Sequence, residues 1–206
     1  MSRGLSKMDI EPDGNLKRET CRYYKCSNPV EPGKCFCCQK CQTKHFQSIR
    51  YDENKERLIK EMGGCCEECG FVGERSQYVL YSDLHRQTVL SWLRSPYEEL
   101  PNRVKAVSTL LCRNCYQKKR FVGKSKSSKA YMSSKIKAVD YLGGKCVYCD
   151  ESDIRVLTFH HVDPGNKDYD IESRMKTSLE KKRAELDKCE LVCWNCHALL
   201  SSGPRW

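Results

Sequence analysis

The chain has 206 residues, of which 39% are hydrophobic, with a mean hydropathy of -0.71. This composition argues against one large apolar core, and no run approaches the roughly 20 apolar residues that cross a bilayer, so no membrane partner is expected. Sixteen cysteines offer another way of holding the chain together, and the formal net charge of +10 is concentrated in one segment.

Residues 1–20, "MSRGLSKMDIEPDGNLKRET", lack the apolar stretch of a secretory signal and are expected to be disordered. The thiols are therefore read as metal ligands in a reducing, cytoplasmic setting rather than as disulfides. A first cysteine group follows in residues 21–50. There "CRYYKCSNPVEPGKCFCCQKC" supplies six thiols for the four positions around a tetrahedral zinc ion. Cys21, Cys26 and Cys41 are the candidate ligands, with Cys37 or Cys38 as the fourth, a choice that spacing leaves open. His45 is read as a surface residue.

Residues 51–116 form a second unit. A helical stretch, "NKERLIKEM", runs into "GG", a natural helix stop, and then into the pair Cys66-x-x-Cys69. An apolar run, "YVLYSDLHR", and a second pair, Cys112-x-x-Cys115, complete it. From Gln117 to Ala138 the chain carries seven lysines and one arginine with no acidic residue. These residues, Lys118, Lys119, Arg120, Lys124, Lys126, Lys129, Lys135 and Lys137, are expected to form a basic linker and helix start that contacts the phosphates of DNA.

The unit at 139–206 repeats the earlier one. "SSKIKAVDYL" leads to "LGGKCVYC", which matches "MGGCCEEC", and "LVCWNCH" matches "LLCRNCY". The intervals between the inner cysteines are 42 and 43 residues. Cys146, Cys149, Cys193 and Cys196 are thus a third candidate zinc group beside Cys66, Cys69, Cys112 and Cys115. Cys35, Cys65 and Cys189 are left as free thiols, together with whichever of Cys37 and Cys38 does not bind. The expected fold class is α+β, with small zinc-stabilised units in tandem, each a hairpin with a helix, and no continuous core.

The copies differ at the end of the apolar run. Aligning "YVLYSDLHR" with "RVLTFHHVD" sets Asp83 and Leu84 opposite His160 and His161, and Tyr116 opposite His197. Copy one keeps every thiol and lacks all three histidines, so the histidines are not needed to fold such a unit.

The last unit resembles an HNH endonuclease of the ββα-metal, treble-clef-like class, especially HNH proteins of bacteriophages. The resemblance rests on Cys146 and Cys149, "VLTFHHVDP", the helical stretch that follows, and "KCELVCWNCH". Copy one resembles a degenerate version of the same module, and the N-terminal group resembles the zinc segments that accompany such nucleases. The resemblance implies His161 as general base, His160 and His197 as catalytic residues that also hold a magnesium or manganese ion, and DNA as substrate. It also implies an asparagine near position 188, where this chain has Lys188 beside Asp187. A zinc-dependent DNA-binding or regulatory protein with a relic HNH module is the competing expectation.

Overall fold

The computed structural model describes residues 20–84, 89, 91–121 and 129–202. Residues 1–19, Lys124 and Lys126 lie outside these, so the expectations placed on them do too. The described chain is a mixture of helices and two small antiparallel sheets. Helix α1 (Gln39–Glu61) is followed by strand β1 (Tyr78–Tyr81), helix α2 (Leu100–Lys105), strand β2 (Thr109–Cys112) and helix α3 (Arg113–Phe121). Helix α4 (Lys129–Tyr141), strand β3 (Leu157–His161), helix α5 (Leu179–Leu186), strand β4 (Cys189–Cys193) and helix α6 (Trp194–Leu200) complete the order.

The repeat is kept hydrogen bond by hydrogen bond. Both Gly-Gly pairs have positive φ, between 67° and 94°. They stop α1 and α4 with Gly64 N–H donating to Ile59 C=O and Gly144 N–H to Val139 C=O, each at 2.9 Å. At the next turn Glu67 N–H reaches Leu110 C=O and Val147 N–H reaches Leu191 C=O, each at 3.0 Å. The turn that follows each first cysteine pair needs a left-handed residue, supplied by Gly70 in copy one and by Asp150, at φ 58°, in copy two.

Two expectations need correction. The unit boundaries drawn at 50/51, 116/117 and 138/139 fall inside α1, α3 and α4. A regular helix continues across each, because nothing there breaks it. The N-terminal unit also contains no hairpin among the described residues, only a single bridge between Thr20 and Pro29 ahead of α1.

Buried apolar residues fall into four clusters, and none of them mixes the two copies. What joins the copies is polar. Asn114 N–H donates to Asn195 Oδ1 at 3.1 Å, and Asn195 N–H donates to Asn114 Oδ1 at 3.0 Å. The two asparagines occupy the same position in "CRNC" and "CWNC", so the contact is reciprocal about a local pseudo-twofold axis. Gln77 Nε2 adds a bond to Asn195 C=O at 3.2 Å, and Lys118 pairs with Asp153 at 3.3 Å.

Both asparagines are buried, at 8% and 6% exposure, so removing either acceptor leaves a buried N–H without a partner. Asn114→Ala and Asn195→Ala are each expected to cost about 1–3 kcal/mol in urea unfolding. A change in both below about 0.5 kcal/mol, the size of an ordinary surface substitution, would show that the joint does not hold the copies together.

Candidate functional site

Three groups of four cysteines bring their sulfurs within 4.8 Å of one another: Cys21, Cys26, Cys37 and Cys41; Cys66, Cys69, Cys112 and Cys115; Cys146, Cys149, Cys193 and Cys196. Geometry chooses Cys37 over Cys38, since Cys37 Sγ lies 3.6 Å from the sulfurs of both Cys26 and Cys41. In the other groups Cys69 and Cys112 approach to 3.9 Å, and Cys149 and Cys193 to 3.6 Å. Tetrahedral zinc with Zn–S bonds of about 2.3 Å needs sulfur separations of about 3.8 Å, so all three groups are compatible with structural zinc. His45 stands against Phe36 and Phe46 instead, with ring centroids at 5.2 and 5.5 Å.

Backbone N–H groups favour the thiolate at Cys66 and Cys146, while burial pushes the Cys112, Cys115, Cys149 and Cys196 thiols up. Cys193 caps the N-terminus of α6 and accepts a bond from Cys196 N–H at 3.4 Å, and Cys112 accepts one from Cys115 N–H at the same distance. Burial opposes ionisation of Cys66, yet backbone hydrogen bonds involving Cys112, Cys69 and Glu68 bring its pKa down to about 7.

The histidines form a separate place. His160 and His161, with Pro164, Lys167, Asp170, Glu172 and His197, help to line a cavity of about 330 Å³. Successive residues on a strand point to opposite faces, and both histidines reach one cavity because β3 ends at His161. Asp163 then accepts a bond from Gly165 N–H at 2.8 Å and starts the turn Pro164–Asn166. His160 meets His197 edge-on, with ring centroids 5.1 Å apart, and Trp194 packs on His197 at 5.3 Å. Desolvation, followed by the charges of His160 and Arg113, lowers the pKa of His197 and favours the neutral imidazole that a metal would need.

His161 is only 8% exposed, and its Nε2 lies 2.7 Å from Glu185 Oε1. Glu185, on α5, is 2% exposed. Its own burial disfavours the charge, but hydrogen bonds from Lys188, His161 and the N–H groups of Tyr169 and Asp168 outweigh this and hold its pKa at about 2. A carboxylate lowered in this way contributes stability above its ordinary value of 4.5, and that contribution fades as pH falls through about 2. Near neutrality Glu185 is therefore ionised and can only accept. Nε2 of His161 then carries the proton, and Nδ1 is the basic nitrogen of the neutral ring.

Lys188, where an asparagine is expected, braces this pair. Its Nζ donates to Glu185 Oε2 at 2.9 Å and to Asp168 Oδ2 at 2.7 Å. Asp187 accepts instead from the Tyr141 hydroxyl at 2.7 Å and does not line the cavity. Among the described residues only the cysteine groups bring three or more ligand atoms together, so His160 and His197 form a pair without a preformed third donor.

The sequence alignment of the copies is corrected by strand register. Cys112 pairs with Tyr78 and Cys193 with Leu157, which sets Tyr81 opposite His160 and Ser82 opposite His161. Asp83 and Leu84 lie two residues further on. The shared Val-Leu misled the alignment because it sits inside β1 in one copy and at the edge of β3 in the other.

The basic segment is also redrawn. Lys135 is 3% exposed and cannot reach a phosphate, and Lys118 is held by Asp153; Lys119 pairs with Glu68 at the surface and stays exposed. Arg120, Lys129 and Lys137 are exposed. Glu185 was missed by sequence reasoning, being one charge among several in a polar helix. Asn114 and Asn195 were missed too, although asparagine is the one residue that both C-x-x-C inserts share.

Comparison with family models, with curated proteins and with solved structures yields no match. Among the described residues no helix is long and apolar enough to cross a membrane.

Metal analysis is expected to find three zinc ions per chain, falling to two in Cys37→Ser and staying at three in Cys38→Ser. Unchanged zinc in Cys37→Ser would refute the first group, and circular dichroism that survives complete chelation would refute a structural role for the metal.

Proposed function

We propose that this chain is a metal-dependent DNA endonuclease of the HNH type, built from ββα-metal units, with His161 as general base and His160 and His197 as metal ligands. The observation that carries the reading is the bond between His161 Nε2 and the ionised, buried Glu185 beside the His160–His197 pair. Any buried imidazole N–H needs an acceptor, but a carboxylate that is itself braced by Lys188 and two backbone N–H groups also fixes the tautomer, as a general base requires.

In this reading a water beside Nδ1 of His161 gives up a proton to that nitrogen as its oxygen bonds to phosphorus, the P–O3′ bond breaks, and the 3′ oxygen takes a proton from solvent. Glu185 stabilises the imidazolium as it forms, and Lys188 and the two backbone N–H groups keep Glu185 in place. A divalent cation bound at His160 and His197 would supply charge neutralisation at the scissile phosphate. Two imidazoles suit zinc or nickel, and the cavity carboxylates Asp170 and Glu172 suit magnesium or manganese, so the donor set fits a divalent ion whose remaining positions are filled by phosphate and water. The cysteine groups, with four thiolates each, leave no open position and would be structural.

The second reading, a zinc-dependent DNA-binding protein without catalysis, is favoured by the small exposure of His161 and by lysine at the expected asparagine.

Supercoiled plasmid with magnesium or manganese separates the two readings. Wild type is expected to nick or linearise it, and His161→Ala of equal zinc content is expected not to. Binding without cleavage by both proteins across metals would favour the second reading.

Glu185→Gln keeps the shape of the contact and removes the charge. Its cleavage rate is expected to fall about 10–100-fold, as for other partners that orient an active-site histidine. A rate equal to wild type in plasmid assays would show that Glu185 has only a packing role.

A further inference from the structure

Strand register puts Tyr81, Ser82 and Tyr116 of copy one where copy two has His160, His161 and His197. These three residues line a second cavity, of about 510 Å³. The tyrosine rings meet edge-on at 6.2 Å, in the arrangement of the histidine rings at 5.1 Å. The upstream unit thus keeps the shape of the candidate active site and changes its chemistry. Serine and tyrosine in place of the histidines offer neither a base that titrates near neutrality nor an imidazole nitrogen for a metal.

What replaces them is aromatic and cationic. Lys119 Nζ lies 5.5 Å from the Tyr81 ring, and the Arg120 guanidinium lies 5.4 Å from the Tyr116 ring. Lys119 also pairs with Glu68 at 2.6 Å, while Glu68 itself stays outside the cavity. Among the described residues no carboxylate lines this space, in contrast to Asp170 and Glu172 in the other. Trp194 forms part of the wall of both cavities, so the two adjoin across the joint between the copies.

We propose that the upstream cavity is a non-catalytic nucleotide subsite that holds the DNA strand beside the cleavage cavity. The phosphate would lie against Lys119 and Arg120, and the base or sugar against Tyr81 and Tyr116. Aromatic faces with neighbouring cations bind nucleotides with little regard to base, which is what a holding site requires. One copy then cuts while the other grips. The proposal rests on the reading of DNA as the ligand, but not on cleavage.

Two variants test it in the full-length, zinc-loaded protein, with zinc content and melting checked against wild type. Affinity for a fluorescently labelled single strand of about 30 bases, free to stack, is measured by anisotropy across a salt series without magnesium or manganese, and plasmid cleavage is measured in parallel. Arg120→Ala is expected to weaken binding and to lower the salt slope by about 1, the signature of one lost phosphate contact. Tyr81→Leu is expected to weaken binding about tenfold at an unchanged slope, as loss of a stacking face would. Wild-type affinity and slope in both variants would overturn the subsite, and cleavage by wild type in the same experiment would leave the nuclease reading standing. Weakened binding in both variants with no cleavage by wild type would retain the subsite and remove the nuclease. Absence of any DNA binding by wild type would overturn both.

Discussion

The four-thiol group is the constraint from which the rest of this structure follows. In the two repeated units, sulfurs drawn within 4.8 Å of one another fix the cysteine turn against the junction of strand and helix across more than 40 residues of intervening chain. Burying so many thiols around one point has no advantage without a cation. With one, binding becomes folding free energy, on the order of 10–16 kcal/mol for small zinc peptides near neutral pH. That allows each unit to be built on a two-stranded sheet, too small to be stable by itself in water. It also frees the strand end and the face of the following helix from core duties, and there the histidines stand.

Duplication makes the histidine cavity interpretable. Both copies hold their cysteines with the same hydrogen bonds, so what differs between them was not imposed by the fold. At equivalent positions one copy has three histidines and the other has tyrosine, serine and tyrosine. Glu185 follows the same division. Its counterpart by register from Cys112 and Cys193 is Val104, which is fully buried in an apolar cluster. A carboxylate on that side of the helix is costly unless it meets partners, and only the copy with His161 and Lys188 supplies them.

The joint between the copies follows a different physics from their interiors. The interiors are small apolar clusters, one in each copy built around thiols, while the reciprocal asparagine pair joins backbone to side chain with defined direction. Hydrogen bonds of this kind contribute modestly to stability and strongly to orientation, because a shifted or rotated partner leaves both N–H groups unsatisfied. The orientation they impose is what places Trp194 in the walls of two cavities.

Much of this was legible in the sequence. Local chemistry sufficed for the cysteine pairs, the Gly-Gly helix stops and the duplication, since a C-x-x-C turn and a left-handed glycine are decided by neighbours a few residues away. The three histidines were legible as a set, because copy one lacks them. Other features depended on residues distant in the chain. Spacing alone left Cys37 and Cys38 equivalent, and only the approach of Cys26 and Cys41 separated them. Val-Leu similarity set the copies two residues out of step, because strand register is determined by cross-strand pairing rather than by local resemblance. The burial of Lys135, the bond from Glu185 to His161 and the Asn114–Asn195 pair were hidden for the same reason. A side chain's partner across a fold is chosen by packing, and the sequence determined which groups were available while tertiary structure decided which of them meet.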